Sequence, residues 1–203
     1  MARVPIPQII KVACPGLTWN LPRDRKVIYL TFDDGPTPGV TGEVLSILEQ
    51  YQVRATFFCI GRNAERHPEI YKQIISHGHV AGNHTYSHLK GWFTRNREYY
   101  NDINLAAQFI PSGLFRPAYG MITPAQIRHL RNQFRIVMWD VMSYDFHPGT
   151  GKEKCVENVI RCAKSGSVIV YHDSIKASEK VLYALPRVLA YFGEQEYRFK
   201  AIL

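Results

Sequence analysis

Apolar and polar positions follow two different periods along this chain. Continuous apolar runs such as 26–34 (KVIYLTFDD) are typical of buried strands. They alternate with segments such as 41–51, in which Val44, Leu45 and Leu48 fall on one face of a helix. The predicted strands are 26–34, 54–61, 79–85, 114–119, 135–141, 167–172 and 197–202. The predicted helices are 41–51, 68–78, 94–110, one that begins at Thr123-Pro124, 152–164 and 177–192.

This alternation predicts a parallel sheet covered by helices, because strands that are buried on both faces have nearly continuous apolar sequences. Seven strands in 203 residues are too few for an eightfold barrel, which typically takes about 250 residues. We therefore expect an α/β fold built as a smaller, distorted barrel rather than an open doubly wound sheet. No linker divides the chain, so we predict a single domain over 1–203, with a core from about 25 to 203 after a short N-terminal extension, 1–24.

The composition indicates a globular protein, since 46% of the residues are hydrophobic and 21% are charged. A disordered chain would lack the apolar residues to form a core. The net charge of +8 favours an anionic partner such as an acidic glycan, a lipid phosphate, a membrane surface or nucleic acid. A generic solubilising surface explains the same charge equally well.

The four cysteines, Cys14, Cys59, Cys155 and Cys162, are too few for a disulfide scaffold. Cys155 and Cys162 lie two helical turns apart, about 10 Å, which is beyond the reach of a disulfide. We expect free thiols.

No apolar run approaches the roughly 18 residues that a membrane span requires. Three prolines interrupt the segment 1–20, and it has no continuous apolar stretch. We therefore predict no signal peptide, and a location in the cytoplasm or peripheral to a membrane.

Ionisable and polar side chains gather where the predicted strands end. They are Asp33 and Asp34 after the first strand, His84 and His88 after the third, Arg116 and Tyr119 at the fourth, Asp145 after the fifth, and His172 and Asp173 at the sixth. In a parallel α/β barrel these carboxyl ends meet at one face, where active sites are built. The sequence therefore predicts one catalytic site at this face.

His84 and His88 are spaced i, i+4, which on a helical turn places both imidazoles on one side, within reach of one ion. A carboxylate as third ligand would complete a His₂Asp metal set. The adjacent Asp33 and Asp34 can divide two tasks, one as a ligand and the other as a proton acceptor. The alternatives are two surface histidines and a turn formed by Asp34-Gly35.

Five motifs occur in a fixed order: TFDDGP (31–36), HTYSH (84–88), RPAYG (116–120), Asp145-Phe146 and VIVYHD (168–173). Together they resemble the polysaccharide deacetylase family, carbohydrate esterase family four, over about residues 25 to 175. The resemblance implies a distorted (β/α)₇ barrel with outer helices. It also implies a hydrolase that removes N-acetyl groups from amino sugars of a glycan or a lipid-linked saccharide.

The resemblance further implies roles for individual residues. Asp34, His84 and His88 would be the ligands of a divalent metal, usually zinc. Asp33 would be the general base, and Arg116 would hold it in place.

The remaining implied roles concern the acetyl group and the leaving amine. The backbone N–H of Tyr119 would face the developing oxyanion. His172 would be the general acid, oriented by Asp145. This chain departs from the family pattern at Phe146, where a tryptophan is frequent, and at Val170, where a leucine is frequent.

Other functions remain open on the sequence. The enzyme could remove another acyl group, such as formyl, or an O-acetyl ester. A non-catalytic barrel that binds an anionic glycan is the contrasting class, and a structural barrel in a larger complex is a third. The presence of both Asp33 and His172 argues against binding alone, because binding requires neither. We do not expect nucleic acid as a partner, and peripheral contact with an anionic membrane stays open.

Several other residues fit packing at least as well as function. His77 and His79 could form a second metal site, Trp92 and Phe93 could line a sugar groove, and His147 could touch substrate.

Overall fold

The computed structural model describes Cys14 and residues 16–203. Within this part of the chain, eight strands alternate with seven helices. The strands are β1 (Val27–Asp33), β2 (Thr56–Cys59), β3 (Val80–Asn83), β4 (Leu114–Phe115), β5 (Arg135–Ile136), β6 (Val141–Met142), β7 (Val168–His172) and β8 (Arg198–Phe199). The helices are α1 (Thr41–Gln50), α2 (Gly61–Arg66), α3 (Pro68–Ser76), α4 (Asn96–Ala107), α5 (Pro124–Leu130), α6 (Lys152–Cys162) and α7 (Ser178–Glu194). Short 3₁₀ turns cover Gly91–Phe93, Ala118–Gly120 and Ile175–Ala177.

The strands form one parallel sheet in the order β5-β4-β3-β2-β1-β7-β6, and β8 pairs with β1. The sheet curls into a half-barrel surrounded by helices, which confirms the prediction of a distorted α/β barrel. Because all strands run in parallel, their carboxyl ends lie at the same face.

The predicted strand 135–141 is wrong as a single element, because the structure divides it into β5 and β6. Between these two strands, the carbonyls of Val137 and Met138 accept hydrogen bonds from the Arg116 side chain, at 3.1 and 2.9 Å. Since these carbonyls are taken by a guanidinium, the regular ladder is interrupted there. Residue 18 forms an isolated parallel bridge to Val137.

Alternate residues of β1 face two different apolar layers. Ile28, Leu30 and Phe32 pack against the helices, and all three are fully buried. Thr31 and Asp33 point the other way, into the barrel interior, where Arg116 reaches both of them. A strand covered on both faces has the continuous apolar sequence that predicted it.

Element boundaries differ from prediction both near the site and away from it, where the predicted strand 197–202 is confined to β8. The predicted strand 54–61 ends at Cys59, and α2 begins at Gly61, where a Cβ would lie 2.8 Å from the Ala106 backbone. The predicted strand 114–119 is confined to β4. The N-cap predicted at Thr123 is confirmed, with reciprocal bonds between Thr123 and Gln126.

The four cysteines are free thiols, as predicted. No helix in the described residues is long and apolar enough to cross a membrane. Most of the segment 1–20, on which the prediction about a signal peptide rests, lies outside the described residues.

Candidate active site

The charged base of the site is a buried ion pair between Arg116 and Asp33. Arg116 Nη1 donates to Asp33 Oδ1 and to Thr31 Oγ1, each at 2.7 Å. The guanidinium lies 4.0 Å from the ring centroid of Phe58, and the residue is fully buried. Such charge-assisted contacts fix Asp33 in one orientation. The contact expected between Arg116 and Asp33 is therefore present.

Asp34 does not have strand geometry. In a regular strand its side chain would point to the face opposite that of Asp33, and here it does not. Its φ is 83°, and its carbonyl accepts a hydrogen bond from Asn63 Nδ2 at 2.8 Å. The next residue, Gly35, donates its N–H to Asp173 Oδ1 at 3.0 Å, and a Cβ there would collide with that carboxylate. The turn thus brings both adjacent aspartates to one site.

His84 and His88 lie on an irregular loop after β3, so the prediction that a helical turn brings them together is wrong. The loop nevertheless places the ring centroids 5.1 Å apart. Asp34 Oδ1 lies 3.9 Å from His84 Nε2 and 3.2 Å from His88 Nε2. The loop achieves this geometry with left-handed φ values of 63° at Thr85 and 59° at His88.

These three residues form a donor set that fits a divalent cation. One ligand atom from each of Asp34, His84 and His88 lies within 4.8 Å of the others, the one such group found among Cys14 and 16–203. His84 Nδ1 lies 2.8 Å from the Arg116 carbonyl, which can only accept, so Nδ1 carries the proton and Nε2 offers its lone pair. Burial lowers the pKa of His84 to about 4, which keeps the imidazole neutral.

Asp34 is likewise unprotonated at neutral pH. Burial alone would raise its pKa, but the hydrogen bond with His88 and the electrostatic interactions with His172, His84 and His88 hold the pKa well below its usual range. A carboxylate and two imidazoles are ligands that zinc and similar metals accept.

His172 has the opposite protonation state. Its Nδ1 lies 2.8 Å from Asp145 Oδ1, and its backbone N–H donates to Asp145 Oδ2 at 2.7 Å. Burial would lower the pKa of His172, but the carboxylates of Asp145, Asp34 and Asp33 outweigh burial and raise it to about 9. The imidazolium is therefore the main form at neutral pH. The Phe146 ring meets it edge-on, with centroids 4.8 Å apart.

Tyr119 and two lysines border the site. Tyr119 lies in a 3₁₀ turn with a φ of 59°, and its ring centroid is 4.5 Å from that of His88. Lys90 Nζ lies 4.8 Å from the Tyr119 ring centroid. On the opposite side, Lys176 Nζ lies 3.3 Å from Asp34 Oδ2.

The sequence placed Asp173 at the site without a role and did not single out Lys176. Asp173 is buried and also accepts from Thr41 Oγ1 at 2.6 Å, so it anchors the turn that carries Asp34. Its place in the VIVYHD motif was the available signal. For Lys176 the sequence offers no signal, since it is one of many lysines on a basic chain.

The other residues that the sequence singled out make no contact with the donor set or with His172 in the described contacts. His79 is buried and accepts from the Ala55 N–H at 3.2 Å at the amino end of β3, away from the site, and residues 14 and 16–203 contain no second metal-ligating group. Trp92 is 59% exposed, and Phe93 is 79% exposed. The His147 carbonyl accepts from Lys180 Nζ at 2.6 Å, in an exposed loop.

Comparison with known proteins agrees with this geometry. The polysaccharide deacetylase family model matches residues 20–135. A peptidoglycan-N-acetylglucosamine deacetylase of Bacillus cereus is 35% identical over 196 residues, which cover 92% of this chain and 91% of the relative. The chain belongs to the polysaccharide deacetylase family.

Two further members of the polysaccharide deacetylase family are similar to the chain. A chitooligosaccharide deacetylase of Rhizobium leguminosarum bv. trifolii is 30% identical, over 77% of this chain and 75% of its own length. A crystal structure of a peptidoglycan N-acetylglucosamine deacetylase, in complex with a naphthalenyl N-oxidanyl-benzamide, superimposes with a TM-score of 0.88 at 32% identity, over 95% of this chain and 93% of that one. By their names, these relatives are deacetylases of peptidoglycan N-acetylglucosamine and of chitooligosaccharides.

Proposed function

We propose that this chain is a metal-dependent hydrolase that removes N-acetyl groups from amino sugars of a glycan. The observation that carries the proposal is the pairing, at the carboxyl ends of the strands, of the Asp34–His84–His88 donor set, in which Asp34 is ionised and His84 neutral, with a protonated His172. Amide hydrolysis needs an activated water on one side and a proton for the leaving amine on the other.

We infer that Asp34, His84 and His88 hold a divalent cation, and we propose Zn²⁺, because zinc accepts one carboxylate and two imidazoles. The group found among residues 14 and 16–203 has these three members, so positions are left open for water and substrate. When bound, such a cation supplies Lewis-acid chemistry that lowers the pKa of water to about 7 and polarises a carbonyl.

Asp33 accepts the proton of the attacking water. It lies next to a ligand in sequence, but its Oδ1 is held by Arg116 at 2.7 Å rather than by the donor set. The guanidinium keeps the carboxylate in one orientation and leaves Oδ2 for the proton. A positioned base of this kind contributes about 10²- to 10⁴-fold in rate.

The Tyr119 N–H stabilises the negative charge that develops on the acetyl oxygen. The positive φ of 59° at this residue turns its peptide out of regular geometry, and the Tyr119 ring lies against the His88 ring. One preorganised donor of this type lowers a barrier by about 3–4 kcal/mol.

His172 donates its Nε2 proton to the departing amine. Asp145 binds Nδ1, so the proton that leaves is the one at Nε2. Because its pKa is about 9, His172 stays protonated at neutral pH.

For the substrate, we propose N-acetylglucosamine residues within an oligomeric or polymeric glycan, as in the names of the relatives. A lipid-linked saccharide, another acyl group and an O-acetyl ester are the competing substrates. Release of acetate from N-acetylglucosamine oligosaccharides, peptidoglycan, an O-acetylated glycan and a lipid-linked N-acetyl sugar would rank them. A chain that binds these glycans with its metal in place, yet releases no acyl group, would instead be a binding barrel.

Asp33→Asn tests the division of tasks between the two aspartates. We expect the metal content to stay at the wild-type level while acetate release falls by about 10²- to 10⁴-fold, because the amide still accepts from Arg116 but takes no proton. Asp24→Asn is the matched control, since the Asp24 side chain is 68% exposed and lies before β1. Loss of the metal in Asp33→Asn would reverse the assignment of Asp33 and Asp34.

A further inference from the structure

The loop that carries His88 has an unusual backbone for its composition. Thr85 and His88 both adopt left-handed φ values, 63° and 59°, which are uncommon for residues other than glycine. Such a conformation persists only where the surroundings hold it. Tyr86 and Ser87 lie between these two residues, so whatever fixes their peptide groups also fixes the direction in which His88 leaves the loop.

The side chain of Asp102, from α4, holds both of these peptide groups. Asp102 Oδ1 accepts the N–H of Tyr86 at 2.7 Å and the N–H of Ser87 at 3.0 Å. Hydrogen bonds from backbone N–H groups to a carboxylate are charge-assisted and about twice as strong as neutral ones. A single carboxylate oxygen therefore joins the loop to a helix that is itself packed in the core through Tyr99 and Ile103.

The two imidazoles of the donor set are thus positioned in different ways. His84 is fixed at its ring, since Nδ1 donates to the Arg116 carbonyl at 2.8 Å. His88 is held through the two peptides that precede it. Their N–H groups donate to Asp102, and their carbonyls, those of Thr85 and Tyr86, accept from the N–H groups of Gly61 and Arg62 at 2.9 and 3.2 Å, so Asp102 is the side chain that binds them.

We propose that Asp102 is a positioning residue that sets the metal affinity of the site by directing His88 toward Asp34. The inference rests on the proposed function, in that it takes the donor set to bind a divalent cation. Asp102 is not one of the three donor residues, and it acts on His88 through the loop backbone. Without its carboxylate, two amide groups lose their acceptor and His88 samples orientations that do not reach Asp34 Oδ1, now 3.2 Å away. Outer partners of metal ligands commonly change metal affinity by about 10- to 100-fold.

The test measures the Zn²⁺ affinity of the apo chain by competition with a chromophoric chelator, in the wild type, Asp102→Asn and Asp102→Ala. We expect Asp102→Ala to weaken binding by about 10- to 100-fold. Asp102→Asn keeps an acceptor oxygen and should weaken binding less. Glu98→Gln is the matched control. Glu98 lies one turn before Asp102 on α4, and both side chains line one surface cavity of about 540 Å³. Its affinity should equal that of the wild type.

Thermal unfolding with and without Zn²⁺ separates positioning from simple stability. A positioning role predicts that the rise in Tm on adding Zn²⁺ shrinks in the Asp102 variants. A purely structural role predicts an equal fall in Tm in both states, with the chelator-measured affinity unchanged, and that result would overturn the inference. If Asp102→Ala does not fold, Asp102→Asn decides by the same two measurements. A wild type that binds no divalent cation overturns the proposed function as well, whereas wild-type binding with unaltered variants overturns only the role of Asp102.

Discussion

Two sides of the site hold histidines of opposite character. On the donor side, His84 has a pKa lowered to about 4, and across the site His172 has a pKa raised to about 9. The His84 side chain is 3% exposed and that of His172 is 12% exposed, and burial lowers the pKa of each. The difference arises from the partner of Nδ1, which is the Arg116 carbonyl for His84 and the Asp145 carboxylate for His172.

This contrast shows how one residue type takes two protonation states in one site. A carbonyl acceptor orients an imidazole without adding charge, so burial dominates and the ring stays neutral. A carboxylate acceptor adds a negative charge that favours the protonated ring. Titratable groups whose pKa values are driven apart in one site are typical of acid–base enzymes.

The largest effect should follow from removal of His84, the neutral histidine. His84→Ala removes one of three ligands, so we expect stable metal binding to be lost and acetate release to fall by at least about 10³-fold. Metal content after dialysis, measured with acetate release, checks this. His77→Ala is the control, because His77 lies just before β3 at the other end of the sheet. Full metal occupancy in His84→Ala would contradict the donor set.

Removal of His172, the protonated histidine, should leave the metal in place. In the proposed mechanism, His172→Gln takes away the proton donor only, so we expect a fall of about 10²- to 10⁴-fold in kcat/KM with unchanged metal content. The comparison of the two sides fails if this variant loses its metal, since His172 would then belong to the donor set.

Asp145→Asn should make His172 more like His84, with a larger fraction of neutral imidazole. In the wild type, His172 is protonated below about pH 9, so kcat/KM should fall as the pH rises through that value. Without the negative charge of Asp145, the pKa of His172 falls, and the alkaline limb of the pH profile should move about one to three units lower. A limb that does not move would mean that another group controls it.

The smallest effect is expected at the rim. Lys176 lies 3.3 Å from Asp34 Oδ2, but its side chain is 55% exposed, and exposed ion pairs contribute about 0–1 kcal/mol. Lys176→Gln should therefore change metal affinity and acetate release by less than about fivefold. A change as large as that of His172→Gln would place the lysine among the catalytic groups.

The sequence predicted the central strands well because their own residues determine them. The predicted runs 26–34 and 167–172 correspond to β1 and β7 within one residue at each end, as both are covered on two faces. The strand ends also identified the residues that meet at the site.

The parts that the sequence did not predict depend on distant side chains. The strand 135–141 breaks because the guanidinium of Arg116 binds the carbonyls of Val137 and Met138. The His84–His88 spacing was informative, but the loop is not helical, because the amides of Tyr86 and Ser87 bind Asp102. No local pattern reports contacts between residues that lie so far apart along the chain.

Arg116 has a consequence for redesign of the enzyme. Its Nη1 donates to Asp33, and its carbonyl accepts from His84. Its Nε and Nη2 donate to the carbonyls of Val137 and Met138, between β5 and β6. The exposed Trp92, Phe93 and Ile175 lie on surface turns that take no part in these contacts. Grafting of the Gly91–Phe93 turn from other family members should therefore leave the contacts of Arg116 intact. Lysine at position 116 could not replace a planar group with so many simultaneous partners.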